Sequence, residues 1–260
     1  MNVRKSQVVV FNQGAGLGSP SFKLGDQYLE HVQEFKYLGV VFDRKGCMTR
    51  ATECAARPFM AGIKRVGAMA EEFCVKDRPH AMLWLFQSFA LSAGMYGAQI
   101  WSTKHLARLL EDQGATTVMH MRHTSFVKRV LRVKRTVNNY IALREGGQMP
   151  LHFYWLRSVV RFWNATVKVC GRQSGSGCPL LRDVVCADLQ LARVGADCWT
   201  KDVSDAIACL PFDGAPLASN LSGGVGELQL LAVDWKEVAA AIDTNIQGHV
   251  WGVNCEGWGR

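Results

Sequence analysis

No Asp-Asp pair occurs anywhere in the 260 residues. The chain therefore lacks the adjacent aspartates through which many two-metal enzymes clamp the attacking and leaving oxygens of a phosphoryl transfer. Asp43 stands alone beside Arg44, and Glu71-Glu72 falls in a helical pattern; both read as solvated charge. No Cys-x-x-Cys pair occurs either. The nine cysteines are scattered from Cys47 to Cys255 and odd in number, which argues against a disulfide framework and for free thiols in a reducing compartment. Cys170, Cys178, Cys186 and Cys198 lack the close pairs of typical structural zinc sites, so no metal ligands are assigned. Arg4 and Lys5 precede only four apolar residues, Val8 to Phe11, too few for a secretory signal. Residues 81–103 carry no charge, but Gln87, Ser88, Ser92, Gly94, Gln99 and Ser102 make the stretch too polar for a membrane span. A buried helix ending near Gly94 is expected instead. An intracellular location, nuclear or cytoplasmic and not secreted, is expected, with no membrane partner.

What is present is apolar and unevenly charged. A hydrophobic content of 48% and a charged content of 20% suit a packed core rather than disorder. Residues 1–172 hold 25 Lys/Arg against 11 Asp/Glu, whereas residues 173–260 hold 5 against 11. The sign changes at Gln173-Ser174-Gly175-Ser176-Gly177, a linker-like tract. Three regions are expected: 1–48, 49–172 and an acidic 173–260 of unassigned role.

Val8 to Phe11 is an unbroken, mostly β-branched run that suits a strand buried on both faces. Gly25-Asp26, between Phe22-Lys23-Leu24 and Tyr28-Leu29, has the composition of a hairpin turn. Phe35 to Phe42 is again strand-like and closes at Arg44-Lys45-Gly46. From Thr49 to Phe73 the spacing becomes helical, with Ala51, Ala55, Phe59, Ile63, Val66, Ala70 and Phe73 on one side. Pro58 predicts a kink or a break there. Arg50, Arg57 and Lys64 recur every seven residues and share a face, with Arg65 beside them. A further helix is expected from Asp77 to about Ala93, with Asp77 as N-cap and Pro79 in the first turn. Tyr96 and Trp101 read as core aromatics.

Residues 122–135 are the most basic segment. Phe126, Val127, Val130 and Leu131 mark one helical face, with Lys128, Arg129, Arg132 and Arg135 largely off it. No acid occurs between Asp112 and Glu145. Such a helix suits a polyanion partner, with an anionic membrane surface or a regulatory protein as alternatives. In the helix from His152 to Val169, Tyr154, Trp155, Phe162 and Trp163 alternate with arginines; core packing is the preferred reading and base stacking the other. Helices are also expected at 178–193, 200–209 and 227–242.

Two of these segments together resemble the end of the palm in reverse transcriptases of non-LTR (LINE-type) retrotransposons. Asn2-Val3-Arg4-Lys5-Ser6 matches an Asn-x-x-Lys-[Ser/Thr] segment before a hydrophobic strand, and Phe35-Lys36-Tyr37-Leu38-Gly39 matches the Phe-x-Tyr-Leu-Gly hairpin of the primer grip. Tyr96-Gly97-Ala98-Gln99-Ile100-Trp101 is similar to the family's Tyr-Gly-x-Glu-x-Trp box, with Gln99 in place of the acid. Glu145, Gly147, Pro150 and Leu151 match a Glu-x-Gly…Pro-Leu box, although Leu131-Arg132-Val133 lacks the usual preceding glycine. The likeness covers about two thirds of the chain and fades beyond Gly171.

The resemblance implies a mainly α chain with a small N-terminal antiparallel β element: palm end in 1–48 and a basic helical thumb and linker in 49–172. It implies that Phe35, Lys36, Tyr37, Leu38 and Gly39 grip a primer. Arg50, Arg57, Lys64 and Arg65, then Lys128, Arg129, Arg132 and Arg135, would contact the phosphates of RNA, an RNA–DNA hybrid or DNA duplex. Lys5 would approach the pyrophosphate leaving group in an intact enzyme. The magnesium-binding aspartates of the family would belong to an upstream polymerase region, so this chain is expected to bind nucleic acid without a cofactor and without polymerising. The alternative is a helical interaction protein or decayed transposon remnant with no nucleic-acid role.

Overall fold

The computed structural model describes residues 6–11, 20–46, 48–111, 116–170, 178–210, 217–220, 228–234, 236–242 and 244. The chain is mainly helical. Its N-terminal part holds short two-stranded pairings: β1 (Gln7–Val8) with β4 (Glu30–His31), β2 (Lys23–Leu24) with β3 (Gln27–Tyr28), and β5 (Glu34–Tyr37) with β6 (Val40–Asp43). The Gly25-Asp26 turn is present, pairing Leu24 with Gln27 and Lys23 with Tyr28. Phe35 to Phe42 is not one strand but the β5–β6 hairpin, turning at Leu38-Gly39 and pairing Phe35 with Phe42. Two further expectations fail. β1 runs parallel to β4, so the β region is not wholly antiparallel. Val8 to Phe11 is not a buried strand: pairing stops at Val8, and Phe11 is 51% exposed. Too few strands lie beside it to cover two faces.

The helices follow. α1 (Thr49–Glu72) buries Ala51, Phe59, Gly62, Val66 and Ala70 and runs unbroken through Pro58. The exposed Pro58 removes one intrahelical bond, but the neighbouring Phe59 and Gly62 are packed, and that packing holds the helix across the gap. α2 (Pro79–Leu85) starts with Pro79 at its first turn; Arg78, not Asp77, occupies the cap and supplies no side-chain bond. The helix continues as a π-helical turn (Phe86–Leu91) into α3 (Ser92–Gly94). There α1 comes close: a Cβ on Gly62 would stand 2.6 Å from the Ala90 Cα and 2.8 Å from the Phe89 carbonyl oxygen. Only a residue without a side chain allows that separation.

α4 (Ala98–Trp101), α5 (Thr103–Glu111), α6 (Val118–Val130), α7 (Asn139–Glu145) and α8 (Leu151–Cys170) complete the central body. α6 is capped by Thr117, whose side chain accepts from the His120 amide, and α7 by Asn138. α8 is a core helix, as its spacing predicts: Trp155, Val159 and Trp163 are fully buried, and Trp155 meets Trp101 edge to face at 5.1 Å.

Beyond residue 178 come α9 (Pro179–Arg193), α10 (Trp199–Ala208) and the β7 (Ala218–Asn220)–β8 (Leu228–Leu230) pair, with residues 236–242 helical. The helix expected from residue 227 thus opens instead as a strand. The Trp163 indole donates to the Leu231 carbonyl at 2.8 Å, and Asn164 both donates to and accepts from the Val233 backbone at 2.8 Å. One apolar cluster extends from Val40 through α1, α6 and α8 to Val203, Val233 and Ile242. The acidic region is therefore packed onto the basic one through a shared core. Residues 173–177, expected as the linker, lie outside the described residues.

His123 sits inside this core, fully buried and stacked on Phe86 at 5.0 Å, with neither ring nitrogen bonded. Burial first, and the neighbouring His120 second, push it down to about 3. Its neutral form therefore supports folding above the unfolded value of about 6.5, and that support is lost as pH falls from there toward 3. Chemical denaturation should show the wild type losing about 2–3 kcal/mol more than His123→Phe between pH 7.5 and pH 4.5.

Candidate nucleic-acid interface

The β5–β6 turn is a two-residue turn with both central residues at positive φ, Leu38 at 45° and Gly39 at 88°. That conformation matches the twist of a tight hairpin and costs a residue such as Leu38 about 1–2 kcal/mol. The strained residue is held from outside. The Tyr96 hydroxyl donates to the Leu38 carbonyl at 2.5 Å, and a Cβ on Gly39 would meet the Tyr96 ring at 2.8 Å. Next to it, Gly97 lies against Val40, and the Trp101 indole donates to the Tyr96 carbonyl at 2.9 Å. Two segments nearly sixty residues apart in sequence thus interlock: the Phe35–Gly39 hairpin and the Tyr96–Trp101 turn. Trp101 is in the core as expected. Tyr96 is not: it is 61% exposed and braces the hairpin tip. The adjacent Gly97 was the only sequence signal for a close approach there.

At the tip, Lys36, Tyr37 and Leu38 face solvent, while Phe35 is half-buried. Arg50 ties this hairpin to α1, bonding Glu34 at 3.1 Å and Glu53 at 2.9 Å. Those two carboxylates, Glu53 first, raise its pKa. Its charge is thus shared with acids of the chain itself rather than presented alone. Further along α1, Arg57 and Lys64 are exposed on either side of a shallow groove of about 360 Å³ floored by Ala56, Met60 and Ala61. The Arg65 guanidinium stands 5.0 Å over the Phe89 ring, a cation–π contact that leaves its charge at the surface.

The second basic group does not form one face. α6 ends at Val130, so Arg132 and Arg135 lie beyond the helix. Lys128 is 7% exposed, and its ammonium donates to the Arg135 carbonyl at 2.8 Å. Burial lowers its pKa. It closes the end of α6 from inside and is not on the surface expected of it. Arg132, at φ 55°, forms an ion pair with Asp77. Arg129 is exposed and lies 5.4 Å over Phe126, and Arg135 is exposed. Lys5 is outside the described residues.

The carboxylates near the hairpin do not cluster. Asp43 accepts from the Lys45 amide, Glu34 and Glu53 serve Arg50, and Glu71 pairs with Lys76 at 2.7 Å. Among the described residues no three His, Cys, Asp or Glu side chains are grouped to hold a metal ion. This donor set does not fit the magnesium pair of a polymerase. No described helix is long and apolar enough to cross a membrane. No protein-family model, curated protein or solved structure matches the chain.

The interlock has a measurable cost when broken. Tyr96→Phe should lower unfolding free energy by about 0.5–1.5 kcal/mol. Gly39→Ala should lower it by about 1–2 kcal/mol through its backbone conformation alone, and more if the ring cannot yield. In a double-mutant cycle by urea denaturation the two should couple; strict additivity would mean that the hydroxyl bond and the ring contact act independently.

Proposed function

We propose that residues up to about 172 are the palm end, thumb and linker of a LINE-type reverse transcriptase, and that this chain binds a nucleic-acid duplex through its phosphates without polymerising on its own. The observation that carries the reading is the interlock of Phe35–Gly39 with Tyr96–Trp101. These are two of the described stretches whose motifs resemble the family, and their contact makes them one device. The hairpin presents Lys36, Tyr37 and Leu38 to solvent, and α1 leads away from it with Arg57, Lys64 and Arg65 exposed. A strand end held at the hairpin would continue along that helix.

The chemistry of such a surface is electrostatic. Each neutralised phosphate releases counterions, so affinity falls with salt and does not depend on base sequence. Arg57, Lys64 and Arg65 are the first contributors, with Arg129 and Arg135 as a separate group. Arg50 and Arg132 contribute less because acids of the chain share their charge, and Lys128 contributes through the fold. Primer extension needs a carboxylate cluster, and the described residues form none.

Binding to DNA duplexes of unrelated sequence, measured at several salt concentrations, tests this. The triple variant R57A/K64A/R65A should weaken all duplexes by similar factors and flatten the log–log salt slope by roughly 0.9 for each phosphate left unneutralised. Lys128→Ala should change thermal stability more than the slope. A folded triple variant with an unchanged slope would remove α1 from the interface. Primer extension with magnesium or manganese should stay at the level of denatured protein; incorporation above it would contradict the non-catalytic reading.

A further inference from the structure

A cavity of about 520 Å³ opens where the β6–α1 turn, α4, α5, α8 and the start of α10 meet. Small-molecule sites typically measure roughly 300–1,000 Å³ and combine apolar walls with a few fixed polar groups. Here Ile100, Phe162 and Trp199 supply the walls. The Phe162 and Trp199 rings stand edge to face at 5.7 Å, and the Trp199 indole is fixed by donating to the Gln99 carbonyl at 2.9 Å. Phe162 keeps 42% of its surface exposed although it lies on a core helix. An aromatic surface is thus held open and pre-oriented.

The polar groups are of an unusual kind. Lys104 donates to Asp197 and stands 3.5 Å from the Oδ2 of Asp202. That oxygen is buried and has no short hydrogen bond; the Lys104 ion pair, at the limit of hydrogen-bonding distance, is what holds it. Burial accordingly raises the Asp202 pKa. An acceptor held only by an ammonium 3.5 Å away is incompletely satisfied, and a ligand that brings a closer N–H donor gains what the free protein forgoes. The exposed Lys45 also borders the cavity. Lys104 already stands beside both aspartates, so the interior calls for a neutral N–H donor rather than a second cation, and the exposed Lys45 is left to meet an anion.

We propose that this cavity binds a guanine nucleotide, its base beside Phe162 and Trp199, its N–H edge toward Asp202 and its phosphate toward Lys45. The selectivity follows from donor and acceptor placement. A carboxylate oxygen only accepts. Guanine offers adjacent donors at N1 and N2, whereas adenine and cytosine put an unprotonated ring nitrogen on that edge and uracil flanks its one N–H with carbonyls. The site shares no residue with Arg57, Lys64 and Arg65, so it goes beyond duplex binding and does not rest on it.

Calorimetric titration of the full chain with GMP, AMP and XMP is the test, with circular dichroism as the folding control. GMP should bind at least tenfold tighter than AMP. Asp202→Asn should lose at least tenfold in GMP affinity and gain XMP, because the carboxamide supplies a donor for the carbonyl at position 2. Phe162→Leu, at a partly exposed ring, should weaken all purines several-fold; if Asp202→Asn does not fold, unchanged GMP affinity in Phe162→Leu overturns the site. The single strands UUGUU and UUAUU identify the source. UUGUU binding tighter than GMP and than UUAUU supports a base presented in a strand, and GMP binding tighter than both supports a free nucleotide. Equal GMP and AMP affinity, no binding of either, or an unchanged ranking in folded Asp202→Asn would overturn the proposal. Asp202→Asn should leave salt-dependent duplex binding unchanged, so that reading is scored separately.

Discussion

The close crossing of α1 with the π-helical turn at Phe86–Leu91 is the constraint on which the rest of the arrangement depends. Gly62 lets the two backbones approach so closely that a Cβ there would collide with Ala90. Phe59, one turn earlier, packs edge to face on Phe86 at 5.9 Å, and Phe86 in turn stacks on Phe126 at 4.8 Å and on His123. α1, α2 and α6 are thereby fixed to one another through a single aromatic column. Because α1 cannot slide past that crossing, its N-terminal end is fixed as well. Arg50 and Val40 then locate the hairpin, and the opposite side of α1 is left to Arg57 and Lys64. The π-helical turn, a rare form found mostly as a single turn within an α-helix, lies where α1 presses in.

Net charge describes this surface poorly. The chain carries +8, yet its lysines and arginines do different work. Lys128 is drawn inside to satisfy a carbonyl, Arg50 bridges two acids, and Arg132 is paired with Asp77. A basic stretch in sequence becomes a basic patch in space only if the helix continues and its cations have no nearer partner. α6 stops at Val130, because the chain turns through Arg132 at positive φ. The four cations at 128–135 therefore part company, whereas α1 runs unbroken and leaves Arg57 and Lys64 two turns apart on one side.

Legibility from sequence followed the range of the interaction. α1, α8 and α9 were readable because their apolar spacing is a local property imposed by the helical repeat. The Gly25-Asp26 turn was readable because two adjacent residues specify it. Val8 to Phe11 misled because a β-branched run predicts burial only if something covers it, and in the described residues a single short parallel partner does. Residues 228–230 misled for the opposite reason. Their pairing with Ala218–Asn220 and the reach of Trp163 and Asn164 to Leu231 and Val233 are contacts from far along the chain. The role of Tyr96 was hidden likewise, since the neighbouring Gly97 signals a close approach without saying that the hairpin is what approaches.

The change of charge sign near residue 173 acquires a structural meaning in this light. Opposite charges in two halves of a chain are usually taken as a mark of two separate units. Here α10 packs along α5, and Lys104 of the basic half lies between Asp197 and Asp202 of the acidic half. The Trp199 indole reaches the Gln99 carbonyl across the same seam. Partly buried ion pairs of this kind add little net stability, since desolvation offsets most of the attraction. Their effect is on register: the apolar surfaces of α5 and α10 could pack in several ways, but few of them put both carboxylates beside Lys104. The pairing is incomplete, however, because one ammonium serves two acids and leaves the Asp202 Oδ2 without a short hydrogen bond. The seam that joins the two halves is thus also the place where the fold leaves an acceptor open.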